Sequence, residues 1–465
     1  MRQVLRFLAI VVVVSGLASA GSLLASAGRT EMRAHPVRLS EPTTLPPVTT
    51  ATLPPLPTTI LATIPTRTTL APQPGRWSYS TLPALALPGR EEVEGVRSSC
   101  VSRTFCMVIG ASYDPATNSS SSGFTAVWNG ERWQLSGPFS EAVKTDSATG
   151  SVTYASPRGI SCTSARFCMA VGHVEPSGVC DSGAVPAPTP PTSSTPLRGG
   201  CQPPSATPLV SLWDGSTWSP LGLPTQTPDI SLRGVSCVST SFCSVVGRTG
   251  QSVSAPTRPL AAIWNGATWS DTVLSSAGGG SLRSVSCPSA SFCQAVGFDG
   301  SGPGTLYAGW DGTRWSLEQS PQGLVGGLLG VSCTSRLSCM AVSTLSEVSP
   351  GSYQRPARWA MFSAIWSGIT WMPVHGSTSS GYQPNLREIS CPSATACLAI
   401  GYMQGADGIV GLIEAWDGTT WTQLSPPATV SPPWEFEGGS CAPGPSCLIF
   451  AQNDGTTTQA FLATQ

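Results

Sequence analysis

Residues 232–270 read LRGVSCVSTSFCSVVGRTGQSVSAPTRPLAAIWNGATWS. Four short runs in that stretch, 232–237, 242–247, 260–264 and 268–270, are rich in β-branched, aromatic and small apolar residues and are bounded by Gly, Ser, Asn or Pro. Runs of this kind read as strands, here named A to D in chain order. Cys237 and Cys243 have five residues between them across the A–B connection, and Trp264 and Trp269 four between them across the C–D connection, which makes both connections tight hairpins. Asn265-Gly266 in the second hairpin supplies the positive φ angles of a two-residue turn.

The pattern repeats along the chain. Pairs with the Cys237–Cys243 spacing recur at Cys100 and Cys106, Cys162 and Cys168, Cys287 and Cys293, Cys333 and Cys339, Cys391 and Cys397, and Cys441 and Cys447, each opened by a Ser-Cys dipeptide. The tryptophan hairpin recurs with Asn129-Gly130, Asp214-Gly215, Asp311-Gly312, Ser367-Gly368 and Asp417-Gly418. Successive first cysteines lie 46 to 75 residues apart, the size of a four-stranded blade. The expected fold is therefore all-β, a seven-bladed β-propeller of four-stranded blades.

The seventh unit runs out of chain before its D strand, ending at Gln465. At the other end, Gly75-Arg76-Trp77-Ser78 matches a D strand that has no A, B or C strand ahead of it. Residues 76–82 are expected to complete the last blade beside 459–462, which leaves no open edge between first and last blades. The repeat tryptophans are expected to pack blade against blade, since every blade has them.

All sixteen cysteines are accounted for by the seven pairs plus Cys180 and Cys201, inside a long insertion of the second unit. The even count and uniform spacing point to eight disulfides between sequence neighbours, and so to an oxidising compartment. Structural zinc prefers shorter spacings, and only His35, His173 and His375 are present to help. No metal or cofactor is implied.

Arg2 and Arg6 precede an uncharged apolar run from Phe7 to Ala27. Residues 1–30 read as a signal peptide or a retained membrane anchor, residues 31–75 as a Pro/Thr-rich linker, and 76–465 as the propeller. Charged residues are 11% of the chain with net charge −1, so no basic face attracts nucleic acid. The membrane is met only through the N-terminal segment. Lys144 is the only lysine, a bias that points to a GC-rich bacterial genome.

In a propeller the A–B and C–D connections share one face and the B–C and D–A connections share the other. All length variation falls on the second face, which makes it the place for a binding site. Arg158, Arg233, Arg283 and Arg387 each stand four residues before the first cysteine of a pair, where the innermost strand begins. Such a partial ring suits an anionic ligand; each arginine can equally bond a neighbouring blade's backbone or pair with a loop carboxylate. Leu329 and Glu437 occupy the same place in the fifth and seventh units, and Arg97 is shifted by one. Tyr353, Trp359 and Trp434 fall in loops and are further ligand-contact candidates. His173 with Glu175, and His375 with Glu388, bring acids near histidines, but no nucleophile motif accompanies them.

The Trp-Asp-Gly-x-x-Trp hairpins resemble the Asp-box repeats of sialidase-like propellers, over one hairpin per blade. The Asp box has a residue between its Asp and Gly, absent here, and neither the Phe/Tyr-Arg-Ile-Pro motif nor the sialidase arginine cluster can be identified, so the resemblance does not extend to activity. The whole repeat is similar to cysteine-paired propellers of secreted actinobacterial proteins, which implies a fold and a compartment. Two functions follow as expectations: an extracellular or cell-surface binding and scaffold propeller, with a cell-wall glycan or another extracellular protein as partner, or a secreted glycan-active enzyme using Glu175, Glu388 or Glu437. A purely structural envelope protein is a third.

Overall fold

The structure is a computed structural model that describes residues 78–81, 92–114, 119–137, 143–145, 152–176, 206–224, 229–250, 257–276, 278–300, 304–320, 326–343, 346–349, 358–380, 383–405, 408–426, 434–442, 446–453 and 457–464. The expected signal or anchor segment, the linker, Tyr353 and the Cys180–Cys201 pair lie outside them. The described residues form seven antiparallel four-stranded blades and no helix. In the third blade the strands are Ile230–Ser239, Phe242–Thr249, Arg258–Trp264 and Trp269–Val273. The ring closes as the missing strand required. Ser78–Thr81 pairs with the C strand Thr457–Thr464, Ser78 opposite Thr464 and Thr81 opposite Phe461.

Each blade buries its apolar residues against the next, and seven separate core clusters fill the seven interfaces. Val96 and Trp128 of the first blade pack with Leu448 and Phe450 of the last. The tryptophans do the packing work expected of them, with paired rings 5.3 Å apart for Trp264 and Trp269. In blades one, two, four and five the first of the pair bonds its own A–B turn, as Trp213 does by donating its indole N–H to Ala165 O at 3.1 Å. The second can reach the preceding blade, as Trp421 does by donating to Ser363 Oγ at 2.9 Å. In the turn between them the acidic side chain caps the backbone. Asp311 Oδ1 accepts from the Thr313 hydroxyl and from the Arg314 and Thr313 amides, and these bonds, the hydroxyl's first, hold its carboxyl down at about 2.

All seven hairpin disulfides are formed. The serine before each first cysteine has a role that the spacing does not reveal. Ser236 Oγ accepts from the amide of Cys287 in the next blade at 3.0 Å, and Ser286 does the same for Cys333 at 2.9 Å. Ser99, Ser161, Ser332 and Ser390 repeat the bond to Cys162, Cys237, Cys391 and Cys441. Ser440 closes the circle onto Cys100 at 3.1 Å. Seven identical links thus tie neighbouring innermost strands edge to edge.

Two variable connections contain strands rather than plain loops. Val143–Thr145 pairs with the extended A strand Val152–Ser164, and Ser346–Ser349 pairs with Arg358–Trp366.

Candidate functional site

The innermost strand of every blade carries a β-bulge near its start. In the third blade Leu232 pairs with Gly247 and Gly234 with Val246, so Arg233 is the extra residue. Arg158, Arg283, Leu329, Arg387 and Glu437 are the extra residues of five other blades. In the first blade the shift spans Glu94 to Arg97, which is why its arginine sits one place later. A bulge breaks the two-residue alternation and re-aims the inserted side chain. Leu232 and Val235 can then both be buried although three residues apart, while Arg233 between them turns to the centre.

These side chains line one central cavity of about 700 Å³ to which all seven blades contribute. The structure brings together the four expected arginines and adds Arg97, Glu388, Glu435 and Glu437.

Two of the arginines are neutralised within the ring. Arg387 pairs with Glu437 and, at 3.5 Å, with Glu435. Arg97 lies 3.7 Å from Glu437 Oε2 and donates to the Glu437 carbonyl at 2.9 Å. Both are thus paired with carboxylates, which belong to the strand Trp434–Ala442 rather than to a loop, and Arg97 bonds the neighbouring blade's backbone as well. Glu388 follows the bulge of the sixth blade and accepts from the Gly439 amide at 3.0 Å. Burial pushes its carboxyl up to about 7, against the opposing pull of Arg97 and of that hydrogen bond.

Arg158, Arg233 and Arg283 occupy equivalent positions on three consecutive blades. Arg283 stacks on Phe298 with its guanidinium 4.7 Å from the ring centroid. Burial first, then the charges of Arg158, Arg248 and Arg97, push its pKa below the ordinary arginine value.

Other sequence candidates are placed elsewhere. Trp434, expected in a loop, opens the strand Trp434–Ala442 and is 8% exposed, packed in the core between the last two blades. Its apolar surface is better accommodated there than at a wet site. Trp359 also belongs to a strand, Arg358–Trp366, opposite Ser379. His173 is 3% exposed, with Nδ1 3.2 Å from Ser231 Oγ, so it is an interblade core residue rather than a surface ligand. Glu175 and His375 lie within strands, opposite Tyr154 and Phe362. Among the described residues no group of three His, Cys, Asp or Glu is arranged to hold a metal. The cavity acid that the sequence reading did not single out, Glu435, stands two residues before a bulge position, and a signal for the bulge was available. The pairs Leu232 and Val235, Leu282 and Val285, and Leu386 and Ile389 are apolar at a spacing that unbroken alternation would split between faces.

No protein-family model and no curated protein matches the chain. Solved structures similar to it include "YCF48 bound to D1 peptide", at 12% identity over 85% of this chain and 97% of that one with a TM-score of 0.44. YCF48 from Cyanidioschyzon merolae is 11% identical over 83% and 99%, with a TM-score of 0.45. The SapL1 lectin in complex with alpha methyl fucoside is 14% identical over 74% and 97%, with a TM-score of 0.40. Likeness of this degree assigns no ligand and no chemistry.

Proposed function

We propose that this chain is a binding and scaffold propeller working outside the cytoplasm, with its ligand contact in the central cavity on the face of the B–C and D–A connections. The observation that carries this reading is the convergence of bulge side chains from all around the ring on one cavity of about 700 Å³, within the size range of ligand sites. Disulfides in every blade support an oxidising compartment. In this reading residues 1–30 direct export or anchor the chain, residues 31–75 act as a linker, and the partner is a cell-wall glycan or another extracellular protein. The repeat's resemblance to cysteine-paired propellers of secreted actinobacterial proteins is in keeping with that setting.

A second reading has one observation in its favour. Glu388, with its raised pKa, shares the cavity with Glu437, and a protonated carboxyl beside an ionised one is what acid-assisted glycan cleavage uses. Against it, Glu435 and Glu437 are both held by Arg387. A binding screen of the full chain against cell-wall fragments, glycans and extracellular proteins, with hydrolysis followed in the same samples, separates the two. Saturable binding without turnover, lost in Arg158→Gln/Arg233→Gln, is expected. Turnover abolished by Glu388→Gln would establish the enzyme reading. Binding lost only through changes on the tight-hairpin face would refute both.

A further inference from the structure

In blades one to six the tips of the two tight turns touch. An A–B turn residue stands against the glycine of the C–D turn: Thr104 on Gly130, Arg166 on Gly215, Ser241 on Gly266, Ser291 on Gly312 and Thr395 on Gly418. In blade five the pair is Leu337 on Gly368. After its glycine the C–D turn carries Glu131, Ser216, Ala267, Thr313 or Thr419, but Ile369 in blade five. The place after the second tryptophan holds Gln134, Ser219, Ser270, Ser316 or Thr422, but Met372 in blade five. Leu337, Ile369 and Met372 are 64%, 88% and 44% exposed, so blade five alone turns three aliphatic side chains to solvent at its tip. The same turn is also weakly capped. Asp417 Oδ1 accepts from the amides of both Thr419 and Thr420, whereas Ser367 Oγ accepts only from that of Thr370, at 3.4 Å. Two local rules are broken at one tip, and such breaks mark places where something besides folding sets the residues.

An exposed apolar patch rimmed by polar residues marks a contact surface. Shape, size and charge decide what it meets. Ile369 lies in the turn at the end of its hairpin, so the patch is convex and enters its partner instead of enclosing a small molecule. Three side chains expose on the order of 300 Å², well under the area of about 800 Å² that each side of a stable protein dimer buries. A second copy of the chain is therefore a poor occupant. The two turns, residues 333–339 and 366–371, contain no acid and one cation, the exposed Arg336. On blade four next to them Asp311 is matched by Arg314 at 3.7 Å. Aliphatic side chains at an apex with an arginine beside them complement a bilayer, whose acyl region takes the former and whose anionic headgroups pair with the latter. The Cys333–Cys339 disulfide and the paired rings of Trp366 and Trp371, 5.7 Å apart, already hold both turns, so insertion has little left to order.

We propose that the tip of blade five inserts Leu337, Ile369 and Met372 into the surface of a phospholipid bilayer, with Arg336 at its anionic headgroups. This rests on reading the chain as one that works outside the cytoplasm beside the membrane, and it adds a second contact to the N-terminal segment, through which alone the sequence leads one to expect the membrane to be met. Three aliphatic side chains bind a bilayer weakly and reversibly, so the tip orients a domain that is already close to the surface. It turns the tight-hairpin face to the lipid and leaves the variable face, with the cavity, open to ligands from outside.

The test uses the full chain with vesicles of phosphatidylcholine, alone or mixed with phosphatidylglycerol, in which some lipids carry a nitroxide high on the acyl chain. A polarity-sensitive dye is attached to Ile369→Cys and, as control, to Thr419→Cys, the same place in blade six. The nitroxide lipids are expected to quench the dye at position 369 at least about threefold more than that at position 419, more with the anionic lipid and less with added salt. Leu337→Thr/Met372→Thr, which gives blade five the residues of blade six, should remove most of the difference. Arg336→Gln should remove the preference for anionic lipid. Melting curves and non-reducing peptide mapping of each variant show that fold and disulfides persist, and flotation of the same vesicles shows whether the chain is attached at all. A chain that floats with both positions quenched alike overturns the tip contact and leaves the N-terminal attachment standing. A chain that neither floats nor is quenched at position 369 overturns both and leaves the cavity as the ligand site untouched. A dye response at position 369 that grows with protein concentration without lipid, together with dimers in sedimentation, assigns the patch to a second copy and overturns the proposal.

Discussion

Replacing Ser236 by alanine removes one link from the circle of serine hydroxyls that join neighbouring innermost strands. The lost bond is the one from the Cys287 amide, 3.0 Å long and half-buried. Water in the cavity can reach part of that strand, so the cost lies at the ordinary value for a single hydrogen bond, about 1 kcal/mol, rather than at that of a sealed orphan donor. For a domain of this length the unfolding entropy is about 0.8 kcal/mol/K, so one link lowers Tm by only about 1 °C. Replacing Ser236, Ser286 and Ser332 together acts on three different interfaces and should cost about 3 kcal/mol and about 4 °C, if the links add. The blade contains its own control. Ser244 lies directly opposite Ser236 on the next strand, is 0% exposed, and its hydroxyl has no hydrogen-bond partner. Ser244→Ala should therefore be neutral or slightly stabilising. Unfolding in urea under non-reducing conditions, followed by tryptophan fluorescence, measures all of these. Equal losses for Ser236→Ala and Ser244→Ala, or a triple variant as stable as wild type, would refute the role assigned to the ring.

Non-reducing peptide mapping should find eight sequence-neighbour disulfides, Cys180 with Cys201 included, and removing one hairpin bridge by Cys287→Ser/Cys293→Ser should cost about 2 kcal/mol in the same urea assay. Gly247 opposes the third bulge so closely that a Cβ there would stand 2.2 Å from Ser231 O, so Gly247→Ala should cost about 3 kcal/mol or more, whereas Gly222→Ala, with nothing within 4 Å of the added carbon, should be silent. Glu388 ionises near its ordinary value of 4.5 in the unfolded chain and only at about 7 in the folded one. Raising pH through that window strips the proton from the unfolded state first and lowers stability, and Glu388→Gln should flatten this part of a stability-against-pH curve; a slope unchanged by the substitution contradicts the assignment.

Blade number, strand order, hairpin positions, the pairing of the seven hairpin disulfides and ring closure were legible in the residues, because each follows from spacing within one repeat or from comparing one repeat with another. Trp264 and Trp269 need only a four-residue gap to face each other, and Cys237 and Cys243 only a tight turn. The arginine positions were legible for the same reason, as a repeated offset from the cysteine. Their individual states were not. Arg97 meets Glu437 across 340 residues and Arg387 meets Glu437 across fifty, and no local pattern says which guanidinium finds an acid when the ring closes. The same holds for Ser236, whose acceptor role exists only once the next blade is docked, and for Trp434, whose composition-poor neighbourhood read as a loop until two blades enclosed it. Sequence determines what is periodic, since hydrogen-bonded hairpins are built from neighbours in the chain. The tertiary structure decides the charge of the cavity, since that depends on which side chains from distant repeats are brought to the same side of one axis.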